Sequence, residues 1–452
     1  MFNRRSFLGT TGLAFLGLQR YALGEPSARL IEPFGPLIKD PKGILDLPEG
    51  FTCRVLATRG ETLDDGFKLP GAPDGMAAFP GPDGKLVLVC NHELGLEMTG
   101  MGPFPNNTRL PDDFDEALTF DPGDDRANPS LGGTSNLIFD PETGEKVAHF
   151  LSLTGTDRNC AGGPMPWGTW ITCEEPADLT QGRGQRHGWC FEVRATAEQG
   201  LQKPVPLKAL GRFRHEAVAL DPRTGILYLT EDRGDGLLYR FIPEKKQDFT
   251  RGRLQALRIV GKPSASLQNY DPASKWPLAG EAMKADWIDV DDTDSPKDDL
   301  RFRGHKDGAA RFARGEGIHW VDGSFYICCT DGGPSRRGQI FRLEPSADAS
   351  RQDTLELFLQ PDASDLLTNG DNLCPAPWGG IVVCEDLIDS SFSPAAHVRC
   401  VTPEGKIFTL ARNPVGQSEF AGGCFSPDGK WFFVNLQGRG LTVAVTGPWE
   451  KA

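Results

Sequence analysis

The sequence predicts an all-β fold, a six-bladed β-propeller with inserted loops, and three observations carry that prediction. Six segments repeat one plan: a polar head residue, small residues, a Gly/Pro/Asp turn, an apolar strand, then an acidic or amide tail. The interval from head to tail is nearly constant. The apolar runs are rich in β-branched and aromatic residues, as strands prefer.

In chain order the segments are "GMAAFPGPDGKLVLVCNHE", "CAGGPMPWGTWITCEE", "EAVALDPRTGILYLTED", "EGIHWVDGSFYICCTDGG", "NLCPAPWGGIVVCED" and "AGGCFSPDGKWFFVNLQ". Their turns, such as "PDG", "RTG" and "VDG", are hairpin punctuation. Fifteen residues separate Cys160 from Glu175, Glu216 from Glu231, Glu316 from Asp331, and Asp371 from Asp386, and Met76 to Asn91 matches. A hairpin of fixed length sets its two ends side by side, so head and tail share one sheet edge. Six such units arranged radially would point those edges at a central channel. Unrelated hairpins in a sandwich are the competing arrangement, and recurrence of acids at equivalent places favours the propeller. Residues 97–130 and 245–300 read as polar, turn-rich inserted loops. No linker divides the remainder, so residues 25–452 are expected to form one domain.

The first 24 residues differ in kind. Arg4-Arg5, then Ser6-Phe7-Leu8 and a short apolar run ending in "ALG", resemble a twin-arginine export signal. This predicts the twin-arginine export machinery as a partner and a periplasmic or secreted location, reached already folded. No run approaches the roughly 18 apolar residues of a membrane span, so no transmembrane segment is expected in the mature chain.

With a net charge of −14 and pI near 5.1, the chain has no basic excess with which to release counterions from nucleic acid. An anionic substrate would also be repelled unless bound cations reverse the local field. The 11 cysteines show no paired CxxC zinc pattern, and most sit in apolar runs as small buried residues. The seven histidines form no HExxH motif; His92 and His215 read as neighbours of a site rather than ligands. No GxSxG nucleophile elbow occurs.

A propeller channel would therefore collect Cys160, Glu174, Glu175, Glu216, Glu231, Asp232, Glu316, Asp331, Asp371, Glu385 and Asp386. So many carboxylates cannot all stay ionised without cations. Oxygen-rich sets suit Ca²⁺, Mg²⁺, Mn²⁺ or Fe³⁺, and one thiol among them points to a transition metal as well. In the stretch "TWITCEEPAD", alternation turns Glu175 to the channel and Glu174 to the opposite face.

The blocks "NCAGGPMPWGTWITCEE", "RFRHEAVALDP", "LYLTEDRGDGLLYRF", "EGIHW" and "EFAGGCFSPDGKWFFVNLQ" together resemble the bacterial PhoX-type alkaline phosphatase family, from about Leu47 to Gln437. The resemblance implies a phosphomonoesterase whose channel holds iron (Fe³⁺) and calcium (Ca²⁺) and takes small phosphate esters. It assigns catalytic roles to Arg314, Cys160, Glu216 and Glu316, with Cys160 on iron and Arg314 on phosphate. The metal set it implies is Cys160, Glu175, Glu216, Asp232, Glu316 and Asp386, with Glu231, Asp331 and Asn372 as further candidates; a monomer is expected. Two departures from the family pattern are Pro176 in "CEEP" and Gly438-Arg439 after "VNLQ". A calcium-dependent lactonase or arylesterase propeller, suggested by Glu316-Gly317, Asp331 and Asn372, is the alternative enzyme, and a calcium-holding binding propeller the non-enzymatic one. Cys160 has no evident role in the lactonase, and an Arg314 turned away from the metals, or an occluded channel, would favour the binding protein.

Overall fold

The computed structural model describes residues 32–175, 184–273, 276–362, 366–386, 393–416 and 418–452. The export-signal expectation for residues 1–24, and Pro176, lie outside those residues. Short strands β1 (Leu37–Ile38) and β2 (Leu47–Pro48) pair with each other, and β3 (Thr52–Thr58) leads into the repeats. A first sheet is β4 (Pro73–Pro80), β5 (Leu86–His92), β6 (Gly132–Asp140) and β7 (Glu145–Thr156); a second is β8 (Asn159–Met165), β9 (Thr169–Glu174) and β10 (Cys190–Arg194).

The third repeat comprises β11 (His215–Leu220), β12 (Leu227–Glu231), β13 (Leu238–Lys245) and β14 (Asp248–Ile259). Strand β15 (Ala282–Asp289) and helix α1 (Leu300–Lys306) follow it. The fourth repeat comprises β16 (Gly315–Val321), β17 (Ser324–Cys329), β18 (Gln339–Glu344) and β19 (Asp353–Leu359). Strand β15 pairs with both β14 and β19 and so fuses these two repeats into one nine-stranded sheet. The fifth is β20 (Gly370–Pro375), β21 (Ile381–Glu385), β22 (His397–Val401) and β23 (Ile407–Arg412), and the last is β24 (Phe420–Phe425), β25 (Phe432–Leu436) and β26 (Leu441–Thr446).

Residues 245–300 are thus not simply a loop. The stretch Asp248–Ile259 buries Phe249, Leu254, Ala256, Leu257 and Ile259, a strand signal that charged neighbours obscure in the sequence. Residues 97–130 do form an inserted loop, with only a short 3-10 turn at Glu116–Leu118. It holds itself down through edge-to-face contacts of Phe104 with Phe67 and Phe114.

The architecture is all-β and propeller-like. The first strand of each repeat packs on the next in the cyclic order β4, β8, β11, β16, β20, β24 and back to β4. The ring is closed by β3, which pairs antiparallel with β26 from Thr52↔Thr446 to Thr58↔Leu441 as the outermost strand of the last sheet, so early and late segments of the chain share one sheet. Phe34 and Phe51 from the start of the described chain pack on each other and on Trp449 at its end, reinforcing the closure. Close approach at the axis requires glycine: a Cβ on Gly75 would lie 2.6 Å from Ala161 Cα, and one on Gly317 would lie 2.6 Å from the Asp371 carbonyl.

Candidate functional site

Every first hairpin carries a β-bulge at its axial end. The register slips between Pro73 and Met76, Asn159 and Gly162, His215 and Val218, Gly315 and Ile318, Gly370 and Leu373, and Ala421 and Cys424. A bulge frees two residues from the ladder and re-aims a side chain. In five units the first freed residue is a potential ligand: Asp74, Cys160, Glu216, Glu316 and Asp371. In the sixth unit the freed residues are Gly422 and Gly423, and Ala421, still paired with Asn435, stands at the head's distance from the tail.

The partner residue in each unit is the one that follows the second strand. Its amide donates to the carbonyl of the residue two before the head, in all six units: Glu93 to Ala72, Glu175 to Arg158, Asp232 to Arg214, Thr330 to Arg314, Asp386 to Asn369 and Gln437 to Glu419, at 2.9–3.4 Å. Ala72, Arg158, Arg314 and Asn369 take positive φ of 44–50° there, so the chain turns sharply before each of those heads. Three layers result: residues before the heads, the heads, and the tails.

This register corrects the constant interval of fifteen. In the third unit the head Glu216 faces Asp232, and Glu231 falls one place short. In the fourth, Thr330 holds the tail position and Asp331 falls one place beyond. Glu231 accordingly turns to the other face and accepts from Leu237 N (3.0 Å) and Tyr239 Oη (2.9 Å). Asp331 accepts from Tyr270 Oη at 2.7 Å and Arg336 at 3.2 Å. In the first unit the counted tail Asn91 braces the adjacent repeat, donating to Ala161 O and accepting from Trp170 Nε1.

Glu174 and Glu385 behave as Glu231 does. Glu174 contacts His187 Nδ1 at 2.6 Å and accepts from Gly188 N and Trp189 N. Glu385 accepts from Arg399 Nε, His397 N and Thr368 N. Strand alternation thus gives each acidic pair two jobs. The earlier member anchors the connection to the third strand, and the later one faces the axis.

On the axial face, Glu216, Glu316 and Asp371 offer oxygens within 4.8 Å of one another, and so do Asp74, Glu93 and Glu419. Burial, reinforced by neighbouring carboxylates, pushes Glu216, Glu316, Asp371, Asp74 and Glu419 well above the usual carboxylate range. Glu93 rises to about 8 for the same reasons. The Cys160 thiol, buried with its Sγ 3.3 Å from the His215 carbonyl, is also pushed up by burial and by Glu216 and Glu175.

Two arginines enter this acidic set. Arg314 donates from Nε to Asp232 at 2.8 Å and from Nη2 to Glu316 at 2.8 Å, and it lies 3.7 Å from Asp386. Arg214 clamps Glu175 with two bonds of 2.8 and 2.9 Å and reaches Asp232 at 3.9 Å. Burial alone would raise Asp232, but Arg314 and Arg214 outweigh it and hold the group below its ordinary value. Glu175 stays raised by burial despite Arg214.

The predicted residues therefore divide. Cys160, Glu175, Glu216, Asp232, Glu316, Asp386 and Arg314 come together at the axis; Glu231 and Asp331 do not. Asn372 sits one residue past its head and spends its amide on the ring, accepting from Gly422 N at 2.6 Å and donating to Asp371. His92 and His215 are buried beside the site and bond Gly71 O and Gly211 O, as expected of neighbours. Sequence counting missed Asp74, Glu93, Glu419, Gln437 and Arg214. Gln437 donates to both Asp74 and Glu93, at 2.9 and 2.8 Å. Of these, Glu93 and Gln437 end their segments as the acidic and amide tails, and Arg214, like Arg314, lies two residues before a glutamate head; Asp74 and Glu419 left no such trace. Arg439, in the departure after "VNLQ", is spent on Ile44 O and Asn413, away from the acids.

Past the ring of small residues (Gly75, Ala161, Ala217, Gly317, Gly422) lies a mostly apolar cavity of about 250 Å³, which Met76, Trp170 and Phe425 also line. No carboxylate lines it. The carboxylates lie away from this cavity, where Arg314 keeps 28% of its side-chain surface exposed.

The family described as alkaline phosphatase PhoX matches the chain over residues 32–119 and 132–440. Among solved structures, PhoX from Pseudomonas fluorescens in complex with vanadate, a transition state analogue, is 20% identical, with a TM-score of 0.69 covering 94% of this chain and 98% of that one. A gluconolactonase from Xanthomonas campestris is 10% identical, with a TM-score of 0.41 over 94% and 99%. No curated protein sequence matches the chain.

Proposed function

Because the chain belongs to the alkaline phosphatase PhoX family, whose members are metal-dependent phosphoric monoester hydrolases, we propose that the acidic end of the channel is where this protein hydrolyses phosphate monoesters. We read the ring as a six-bladed propeller, one blade per inner strand. The carrying observation is the convergence of buried carboxylates from separate repeats around a partly exposed arginine.

The donor set fits metal ions. Groups of three carboxylates within 4.8 Å, buried or half-buried and crowded against one another, are hard oxygen sites that lose their mutual repulsion when a cation enters. Glu216, Glu316 and Asp371, with the Cys160 thiol beside Glu216, are the donors suited to iron. Asp74, Glu93, Glu419 and Asp386 are the oxygen donors suited to calcium. When bound, such ions supply Lewis-acid neutralisation of the phosphoryl oxygens.

The chain's own contribution is positioning. Arg314 carries a planar guanidinium of the kind that suits phosphate oxygens, and Glu316 and Asp232 hold its Nε and Nη2 and keep its charge on at alkaline pH. Vanadate, described as a transition state analogue in the Pseudomonas fluorescens protein, should inhibit this one in competition with substrate. Export through the twin-arginine route to the periplasm, as a monomer loaded with metal before export, completes the reading.

Metal analysis of protein purified after export, paired with p-nitrophenyl phosphate turnover at alkaline pH, tests it. Iron and calcium together with turnover are expected. Calcium without iron and no turnover would sink the proposal. Cys160→Ala with unchanged iron would remove Cys160 from the donor set.

A further inference from the structure

The residue two before each head occupies an equivalent place in all six repeats, yet its chemistry is uneven. Arg158, Arg214 and Arg314 precede the heads of β8, β11 and β16, whereas Asn369, Glu419 and Ala72 precede those of β20, β24 and β4. Arg158 turns out of the ring to the exposed Glu97, and Arg314 is the proposed phosphate fork. Arg214 remains, with both carboxylate oxygens of Glu175 in its grip and Asp232 at 3.9 Å.

We propose that Arg214 is a built-in cation: it occupies the edge of the cluster between Glu175 and Asp232, and that edge takes no metal ion. Glu175 is 6% exposed, and its two oxygens accept from one planar guanidinium, the geometry in which arginine best matches a carboxylate. The carboxylates of Glu175 and Asp232 are neighbours, and Glu216 adds a third negative charge close by. Without Arg214, that edge would demand either protons or an ion. The side chain is 31% exposed, so water could complete the coordination of a calcium ion taking its place. Glu175 and Asp232 therefore leave the ligand set that the family resemblance implies.

The inference rests on the proposed metal-dependent function, and the experiment separates the two. Calcium and iron per chain are counted by elemental analysis for wild type, Arg214→Ala, Arg214→Lys and Glu175→Gln, after dialysis against calcium, with circular dichroism confirming the fold of each. Arg214→Ala should gain one calcium per chain, Arg214→Lys should keep the wild-type count, and Glu175→Gln should lose no metal. An unchanged count in Arg214→Ala, or metal lost from Glu175→Gln, would overturn the inference while leaving the metal site standing. A wild type without metal would instead overturn the functional reading. Should Arg214→Ala fail to fold, the Glu175→Gln count decides alone.

Discussion

Two arcs of the same ring solve one electrostatic problem in different ways. On the arc from β11 to β16, Arg214 and Arg314 reach the carboxylates of Glu175, Asp232 and Glu316. On the arc from β20 through β24 to β4, no arginine stands before the heads, and Asp371, Asp386, Glu419, Asp74 and Glu93 face one another with the Gln437 amide as a neutral donor. One tail on each arc shows the contrast: Asp232, between both arginines, is held below its ordinary value, while Glu93 rises to about 8; Glu175, with Arg214 alone, stays raised by burial. Burial does not explain it, since Glu175, Asp232 and Glu316 are all buried whereas Asp74 alone is so on the other arc. What differs is whether the chain brings its own positive charge, and an arc that does not must import it. This is why the bare arc is the one to which the calcium donors are assigned.

Breaking the compensated arc should have the largest effect. Arg314→Ala is expected to lower kcat by about 10²–10³-fold, the usual cost of removing a pre-aligned donor to a developing charge, measured with p-nitrophenyl phosphate at saturating metal. Lysine at that position should recover only a small part, because it has no planar fork.

The next effect lies outside the ring and tests the division within each acidic pair. Arg399 holds Glu385 below its ordinary value in a buried pair, so Arg399→Ala should destabilise the protein by about 3–5 kcal/mol. Chemical denaturation would measure this, and the metal content of the folded variant should not change.

A smaller effect concerns the bare arc alone. Glu93 has a folded pKa of about 8 against an ordinary 4.5, so the fold prefers its protonated form. Stability from that preference is fully present below pH 4.5 and is lost as pH rises through 8. Metal-stripped protein should therefore melt at progressively lower temperature across that window. Calcium should flatten the profile, since a bound cation replaces the proton. A metal-free profile that rises with pH would contradict the account of this arc.

The smallest effect is expected at Asp331, which the register leaves outside the ring. Asp331→Asn should change activity less than about twofold and leave metal content unchanged, in keeping with a substitution away from buried charges. A loss of metal there would show the fourth repeat to be read one residue out of place.

How much of the site was legible follows from where its signals reside. Cys160, Glu175 and Asp386 could be read because the interval of fifteen holds in their units, and Arg314 and Glu316 because their local motif resembles the family's. Glu231 and Asp331 were misplaced because the third hairpin is one residue longer and the fourth one shorter, and such a shift leaves no compositional mark. Asp74 and Glu93 were hidden by counting from Met76, two residues inside the bulge. Glu419 belongs to no hairpin strand, so only the three-dimensional turn before β24 brings it to Asp74.

The sequence by itself determined the two strands of each recurring hairpin, their turns and the family, because these rest on alternation, turn chemistry and motifs a few residues long. Tertiary structure alone decided which acids face the axis, which ones arginine neutralises and how two repeats fuse through β15. Those outcomes depend on bulges, on register and on side chains brought together from distant repeats. A one-residue slip exchanges the two faces of a strand, so an acidic pair such as Glu231-Asp232 holds both possible answers until the hairpin closes.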